Sequence, residues 1–340
     1  MRISIVTDAW RPQVNGVVRT LERLHAESNK LGVEISFITP LEFRTFPMPG
    51  YSEIRLSVTS PSRIKAAIEA QRPDAIHIAT EGPLGTLARR FAMQTGRKFT
   101  TCYHTAYPQY LSARYPIPER LTYAYLRRFH NAAATTMVAT EPLRQELSAR
   151  GFSKLAIWSR GVDADLFRPR DTRLTFGPGP QLLYVGRVSV EKNLDAFLDT
   201  PMRGTKIIVG DGPDRARLQA AHPNAVFLGI KTGDELAQIY ASADLFVFPS
   251  MTDTFGLVLL EALASGLPVA AFPAGGFLDA VTKARVGIVD QDLNAAVEAA
   301  LAIPRDKARN FALGYTHHES AKQFIRNVET ALGYRGERAA

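Results

Sequence analysis

Two doubly wound α/β domains in tandem, each a parallel sheet with helices on both faces, are predicted by three observations. Short apolar strands alternate with helix-length segments along the whole chain. The alternation pauses at a Pro/Gly-rich connection (Pro169, Gly177, Pro178, Gly179, Pro180) and then restarts. And 340 residues, 46% of them hydrophobic, suffice for about two cores.

The elements follow in order. Arg2-Ile3-Ser4-Ile5-Val6-Thr7 reads as a buried strand, and the loop Pro12-Gln13-Val14-Asn15-Gly16 leads into a helix through Leu21, Leu24 and Leu31. Strands are expected at 33–39, 53–56, 75–78, 99–102 and 136–139, all in one parallel series. Ile157 to Asp163 reads as a last short strand or turn. In the second half, strands are expected at 182–185, 206–209, 226–228, 245–248, 269–272 and 287–289, with helices between them. Ala321, Phe324, Ile325, Val328 and Leu332 have the spacing of an amphipathic helix. The domains are therefore drawn as 1–170 and 171–315, with a helix over 316–335 packing back on the first. Ligands of such sheets bind outside the carboxyl ends of the strands, and two such domains can face each other across a cleft.

Composition narrows the classes. A single cysteine, Cys102, excludes internal disulfides and fits a reducing compartment. An acid at Asp8 interrupts the N-terminus before a signal-peptide core, and no apolar run approaches the roughly 18–20 residues that span a bilayer. A cytoplasmic protein, or one on the cytoplasmic face of a membrane, is expected. Residues 1–170 hold 24 Lys+Arg against 14 Asp+Glu, whereas 171–340 hold 17 against 19. The basic half is either a solubility bias or a face that meets an anionic surface. Nucleic acid is not expected, because no zinc-ligand, helix-turn-helix or basic-aromatic strand signature is present.

Three stretches carry candidate chemistry. Asp253-Thr254-Phe255-Gly256-Leu257 runs into an apolar helix that stops near Gly266-Leu267-Pro268, with Asp253 and Thr254 as candidate caps. The helix is apolar all round except for Glu261, a carboxylate whose burial demands a partner. Its start, with free amides and a glycine, suits an anion. Gly186-Arg187 and Glu191-Lys192-Asn193 follow the first strand of the second half. Arg187 and Lys192 are either two solvated side chains or a fork and a point charge placed for a diphosphate. Gly210-Asp211-Gly212-Pro213 follows the next strand and is a turn or a close backbone approach.

In this order and spacing these motifs resemble the donor domain of family 4 retaining glycosyltransferases. The first half resembles the same family in Thr7-Asp8-Ala9-Trp10-Arg11-Pro12-Gln13-Val14-Asn15-Gly16, Glu81-Gly82-Pro83-Leu84-Gly85, Tyr103-His104-Thr105 and Arg160-Gly161-Val162-Asp163. The resemblance covers nearly the whole chain. It implies the GT-B fold, two Rossmann-like domains facing a cleft, with residues 1–170 binding the acceptor and facing the membrane and 171–315 binding the donor.

It also implies roles. Arg187 and Lys192 neutralise the donor diphosphate in place of a metal, so no metal and no cofactor beyond the nucleotide sugar is expected. The amides of Phe255, Gly256 and Leu257 and the helix dipole hold the same phosphates, with Gly210 on the neighbouring loop. Glu261 accepts from ribose hydroxyls, and Asp253 binds hydroxyls of the transferred sugar. Gly16 permits close approach of the donor. His104 hydrogen-bonds a donor hydroxyl or stabilises positive charge developing on the sugar. The family's usual carboxylate pair is Glu, seven residues, Glu; here Asp253 stands first. The Thr-Asp-Thr-Phe-Gly version resembles a branch of sulfoquinovosyl, mannosyl and glucosyl or glucuronosyl transferases acting on diacylglycerol lipids.

The expected activity is transfer, with retention, of a hexose or uronic acid from UDP-glucose, UDP-glucuronate or UDP-galactose to a diacylglycerol-type lipid, at the cytoplasmic face of the inner membrane. The alternative is a GDP-mannose-dependent α-mannosyltransferase, or transfer to a polysaccharide or polyprenyl-linked glycan. For the acceptor side, Tyr107, Tyr110, Tyr115, Tyr123 and Tyr125 with Arg114, Arg120, Arg127 and Arg128 form either a lipid-facing surface or a tyrosine-rich core helix with a solvated basic face. Arg89-Arg90 and Arg97-Lys98 extend that patch. Asp163-Ala164-Asp165 and His317-His318 are set aside as metal ligands, and Cys102 is expected to pack in a strand. A nicotinamide-type oxidoreductase would need Gly-x-Gly-x-x-Gly after a first strand, and neither half has it.

Overall fold

The computed structural model describes residues 1–13, 16–48, 51–104, 118–251, 255–274 and 276–333. The chain divides into two compact units, one of residues 1–160 and 317–340, the other of residues 161–316.

Unit 1 holds a six-stranded sheet in the order β2-β1-β5-β6-β7-β8. Its strands are β1 (Arg2–Val6), β2 (Glu34–Ile38), β5 (Ala75–Ile78), β6 (Phe99–Tyr103), β7 (Thr135–Val138) and β8 (Leu155–Ile157), all paired in parallel. Alternate residues of β1 serve opposite faces. Ile3 and Ile5 pack with Leu21 and Leu24 of the helix Gly16–Lys30 and with Phe324 and Val328 of the helix His317–Leu332. Val6 packs on the other side with Ile64, Ile68, Leu84 and Phe91, from the helices Pro61–Ala70 and Pro83–Gln94. Both faces are covered, which is why these strands read as unbroken apolar runs.

Two expectations change here. The strand expected at 53–56 is not in the parallel sheet. It belongs to β4 (Tyr51–Val58), which pairs antiparallel with β3 (Arg44–Met48) as a separate hairpin. β3 is the missed partner: its Arg44, Phe46 and Pro47 are exposed, so burial left no apolar run to read. The strand expected from Ile157 ends there: the Trp158 amide still donates to Val138 O, but the Ser159 amide turns to the side-chain oxygen of Gln323.

Unit 2 repeats the plan in the order β11-β10-β9-β12-β13-β14, again all parallel. These are β9 (Gln181–Val185), β10 (Thr205–Val209), β11 (Val226–Gly229), β12 (Leu245–Phe248), β13 (Val269–Ala271) and β14 (Gly287–Val289). The unit begins at Gly161, not after 170. Val162 N–H donates to Tyr315 O at 2.9 Å, Phe167 packs edge-on against Tyr240, and Arg309 donates to the carbonyls of Phe167 and Ala164. The Pro/Gly-rich connection is thus a loop within unit 2, and the backbone hydrogen bonds made ahead of it set the boundary.

Candidate functional site

In each sheet the strand order reverses once, between β1 and β5 in unit 1 and between β9 and β12 in unit 2. Such a point leaves a crevice at the carboxyl ends, where outgoing loops can hold a ligand. A groove of about 320 Å³ lined by Pro73, Asp74, Arg97, Lys98 and Leu332 lies at the amino ends of unit 1's strands; it takes in Arg97 and Lys98 of the expected basic patch but none of the residues expected at the donor.

In unit 2 the loops after β9, β10 and β11 are laced by backbone hydrogen bonds. Gly186 N–H donates to Val209 O, Val188 N–H to Asp211 O, and Gly210 N–H to Gly229 O, at 2.8–3.0 Å. The approach is close enough that a Cβ on Gly210 would stand 1.9 Å from Gly186 O. Gly210 is therefore a glycine because the neighbouring loop's backbone occupies the side-chain position. The Asn193 amide donates to Pro249 O at 3.3 Å and ties the loop after β9 to the residue following β12.

Arg187 is exposed and Lys192 half-buried on that loop. Between them Glu191 feels both charges. Burial pushes its carboxyl up, but the Ser189 hydroxyl, its own amide, Arg187 and Lys192 together hold it below the usual range. Two cations bracketing one carboxylate within a short loop make a place suited to a second, larger anion.

The helix Leu257–Ala264 starts at Gly256, whose φ of 76° and ψ of 74° lie in the left-handed region, and no side chain among the described residues caps it. Gly256 holds the cap position itself, and the expected caps Asp253 and Thr254 lie outside the described residues. Asp253, the expected sugar-binding carboxylate, lies outside the described residues with Thr252 and Thr254. Phe255 is buried, its ring 4.7 Å from that of Phe277, so its side chain anchors the loop to the core and only its amide is available to a ligand. Leu257, Val258 and Glu261 are half-buried, so the helix is not enclosed on every face. Glu261 Oε2 accepts from the hydroxyl of Tyr240 at 3.0 Å, a partner that no local spacing pointed to. The helix's far end is held by Arg309, which donates to Ala264 O at 2.6 Å, and by Arg305, which reaches Ser265 O.

In unit 1, Gly16 opens the helix that follows β1, and His104 comes directly after β6. Several residues of the quoted motifs join a buried polar network around them. Asp8 accepts from the amides of Leu84 and Gly85, at the start of Pro83–Gln94, and from Thr80 Oγ1. Burial outweighs those bonds and raises its carboxyl above the usual range. Glu81 Oε1 lies 3.0 Å from His130 Nε2, while His130 Nδ1 meets Thr101 Oγ1 at 2.9 Å. Arg160, 6% exposed, donates to Trp158 O at 2.9 Å and contacts His104 Nδ1 at 3.1 Å. Burial above all, and then the charges of Arg160, His77 and His130, holds the His104 imidazolium well below its ordinary range. Cys102, fully buried in β6, has its thiol pushed up to about 11 by burial and packs as a small hydrophobe.

The side features resolve as follows. Asp163 Oδ1 accepts from the Leu166 amide within a turn, and His318 Nδ1 sits 3.4 Å from Glu27. Among the described residues no group of three or more His, Cys, Asp or Glu side chains is placed to share a metal ion. On the helix Glu119–His130, Tyr123, Leu126 and Phe129 face the core. Arg120, Leu121, Tyr125, Arg127 and Arg128 face outward, with Leu121 59% and Tyr125 51% exposed. Tyr107, Tyr110, Arg114 and Tyr115 lie outside the described residues. No helix among the described residues is long and apolar enough to cross a membrane.

Two parallel-sheet α/β units with loops gathered at their carboxyl ends make the GT-B fold. Solved structures with this architecture include sucrose-phosphate synthase from Thermosynechococcus elongatus (TM-score 0.78, 20% identity, 98% of this chain and 100% of that one). Another is Anabaena Alr3699/HepE in complex with UDP (TM-score 0.71, 16% identity, 97% and 100%). The Glycosyltransferase Family 4 model matches residues 14–166, and the Glycosyl transferases group 1 model matches 179–306. A GDP-mannose-dependent alpha-mannosyltransferase of Mycobacterium tuberculosis is 33% identical over 85% of this chain and 83% of its own length. One of Mycolicibacterium smegmatis is 32% identical over 100% of both chains. The sulfoquinovosyl transferase SQD2 of Arabidopsis thaliana is 36% identical over 72% of this chain and 51% of its own length. The chain belongs to glycosyltransferase family 4.

Proposed function

We propose that this glycosyltransferase moves mannose from GDP-mannose, with retention and without a metal, to a lipid acceptor at an anionic membrane surface. The observation that carries the phosphate half of this reading is the pairing of Arg187 and Lys192 on one short loop, both acting on Glu191. They neutralise the diphosphate, and the amides from Phe255 to Leu257 at the helix start bind the same oxygens. Glu261, oriented by Tyr240, accepts from ribose hydroxyls; Asp253 and His104 address the sugar. The bond from the anomeric carbon to the phosphate breaks as the acceptor oxygen bonds on the same face. The acceptor's proton passes to the departing phosphate.

The choice of GDP-mannose rests on the two mannosyltransferases that match across most of their length. The choice of a lipid rests on Leu121 and Tyr125 standing outward among Arg120, Arg127 and Arg128, an apolar-and-basic face suited to anionic headgroups. That face belongs at the cytoplasmic side of the inner membrane. A second reading, a UDP-sugar donor and a diacylglycerol acceptor, is favoured by the likeness to the sulfoquinovosyl transferase.

Thermal shift with GDP-mannose, UDP-glucose, UDP-glucuronate and UDP-galactose, followed by turnover on lipid extracts, separates the two. Stabilisation by a UDP-sugar and none by GDP-mannose would overturn the first. Absence of binding to anionic vesicles at low salt, with no product on any lipid, would remove the lipid acceptor. Lys192→Ala is expected to lower kcat/KM about 100-fold while leaving the melting temperature unchanged. Near-normal turnover in that variant would refute the role of Lys192.

A further inference from the structure

Arg160 is a buried cation with a specific grip on His104. Its guanidinium carbon lies 4.6 Å over the Trp158 ring, one terminal nitrogen donates to Trp158 O at 2.9 Å, and the other stands 3.1 Å from His104 Nδ1. That second nitrogen is also 3.8 Å from Cys102 Sγ. Trp158 is fully buried, donates its indole N–H to Ser320 Oγ at 3.1 Å, and meets the His104 ring edge-on at 5.8 Å. Among the described residues no carboxylate forms an ion pair with Arg160. Its terminal nitrogens serve the Trp158 carbonyl, the His104 imidazole and, at longer range, the Cys102 sulfur.

We infer that Arg160 is a positioning residue that sets the tautomer of His104, so that His104 meets its substrate as a neutral ring with the proton on Nε2. A guanidinium offers donors only, so the ring nitrogen facing it must accept. With Nδ1 accepting, the single proton of a neutral imidazole sits on Nε2. A second proton on Nδ1 would point at the guanidinium and abolish that contact. The groups facing His104 reinforce this. Arg160 comes from the segment after β8, His77 from β5 and His130 from the helix Glu119–His130, while Cys102 and Tyr103 precede it at the end of β6 and Glu81 is engaged by His130. Burial and the Arg160 charge both disfavour the imidazolium.

The inference rests on the proposed role of His104 at the donor sugar and chooses between the two forms of that role. A ring with Nδ1 engaged and Nε2 protonated has no lone pair with which to act as a base or to stabilise a developing cation. It donates a hydrogen bond to a substrate oxygen. The geometry also accounts for arginine at this position: a planar fork spans the Trp158 carbonyl and the imidazole at once, which a single ammonium on a flexible stem does less well.

The test has a structural arm and a kinetic one. Nitrogen-15 NMR of ring-labelled histidine, with the His104 signals assigned by their loss in His104→Asn, reads the tautomer without any substrate. The expected result is the neutral Nε2–H form from about pH 5.5 to about pH 8.5. A neutral Nδ1–H form, or titration with a midpoint near about 6.5, overturns the inference. In turnover, Arg160→Met is expected to lower kcat roughly 10- to 100-fold, change the donor KM less than about twofold, and bring an acidic limb into the kcat profile. Arg160→Lys, which keeps a donor, should recover part of that loss. Unchanged kcat and tautomer in a folded Arg160→Met also overturn it. If Arg160→Met does not fold, the wild-type NMR result decides. A wild-type protein that turns over no donor defeats the functional reading, while the tautomer measurement still decides this one.

Discussion

Tyr240 is fully buried on the helix Gly233–Ser242, and its hydroxyl reaches Glu261 at 3.0 Å and the Val258 carbonyl at 3.5 Å. The stronger contact holds a half-buried carboxylate in one orientation. Tyr240→Phe is expected to lower stability by about 1 kcal/mol, read by urea unfolding, and to raise the donor KM several-fold with kcat less affected. A second residue-scale prediction concerns His77, fully buried against Trp158 and Phe324 with its pKa lowered to about 3 by burial and then by the Arg160 charge. The unfolded chain takes up the proton near pH 6.5 and the folded chain does not until about 3, so stability falls as pH drops through that window. The loss is on the order of a few kcal/mol, and His104 adds to it in the same direction. Unfolding free energies measured across that range should show the slope, and His77→Leu should flatten it. Arg187, Lys192 and Glu261 were legible as candidates because each lies in a short motif. Their settings were not: Tyr240 is 21 residues from Glu261, and Arg160 is 56 from His104. No local period links positions that far apart.

The helix Leu257–Ala264 shows what an element adds. Its apolar run and the stop at Gly266 were readable, but the left-handed turn at its start was not. Gly256 turns the chain in the left-handed region, and a Cβ there would stand 3.0 Å from Leu259 Cδ1 and 3.2 Å from Phe248 Cζ. Gly256→Ala should therefore cost about 1–2 kcal/mol in unfolding experiments and weaken donor binding, because the same turn aims the amides. Unchanged stability and donor KM would mean that the turn relaxes and that its left-handed form is not needed. Arg305 and Arg309 complement this helix from the other end, donating to its last carbonyls as cations at a helix C-terminus do. The β3–β4 hairpin was hidden for a different reason. A strand that buries neither face in a layered core carries no burial pattern, so only its pairing partner reveals it.

At the scale of the whole molecule, the chain returns to unit 1 through the helix His317–Leu332, which packs on Gly16–Lys30 and completes one face of the first sheet. Phe324 is fully buried there, 4.9 Å from the His77 ring and 4.8 Å from Trp158. Phe324→Ala should cost about 3–5 kcal/mol, measurable as a lower urea midpoint with the m-value unchanged. A loss below about 1 kcal/mol would show that the helix is only loosely docked. The sequence by itself determined the class of fold, because buried parallel strands and amphipathic helices each leave a periodic signature in the residues that form them. It also determined the family, whose motifs are short and local. Only the tertiary structure decided where the units divide, which carboxylate meets which hydroxyl, and how His104 is held. Those contacts join residues far apart in the chain, and they form only once two layers of packing have brought the partners together.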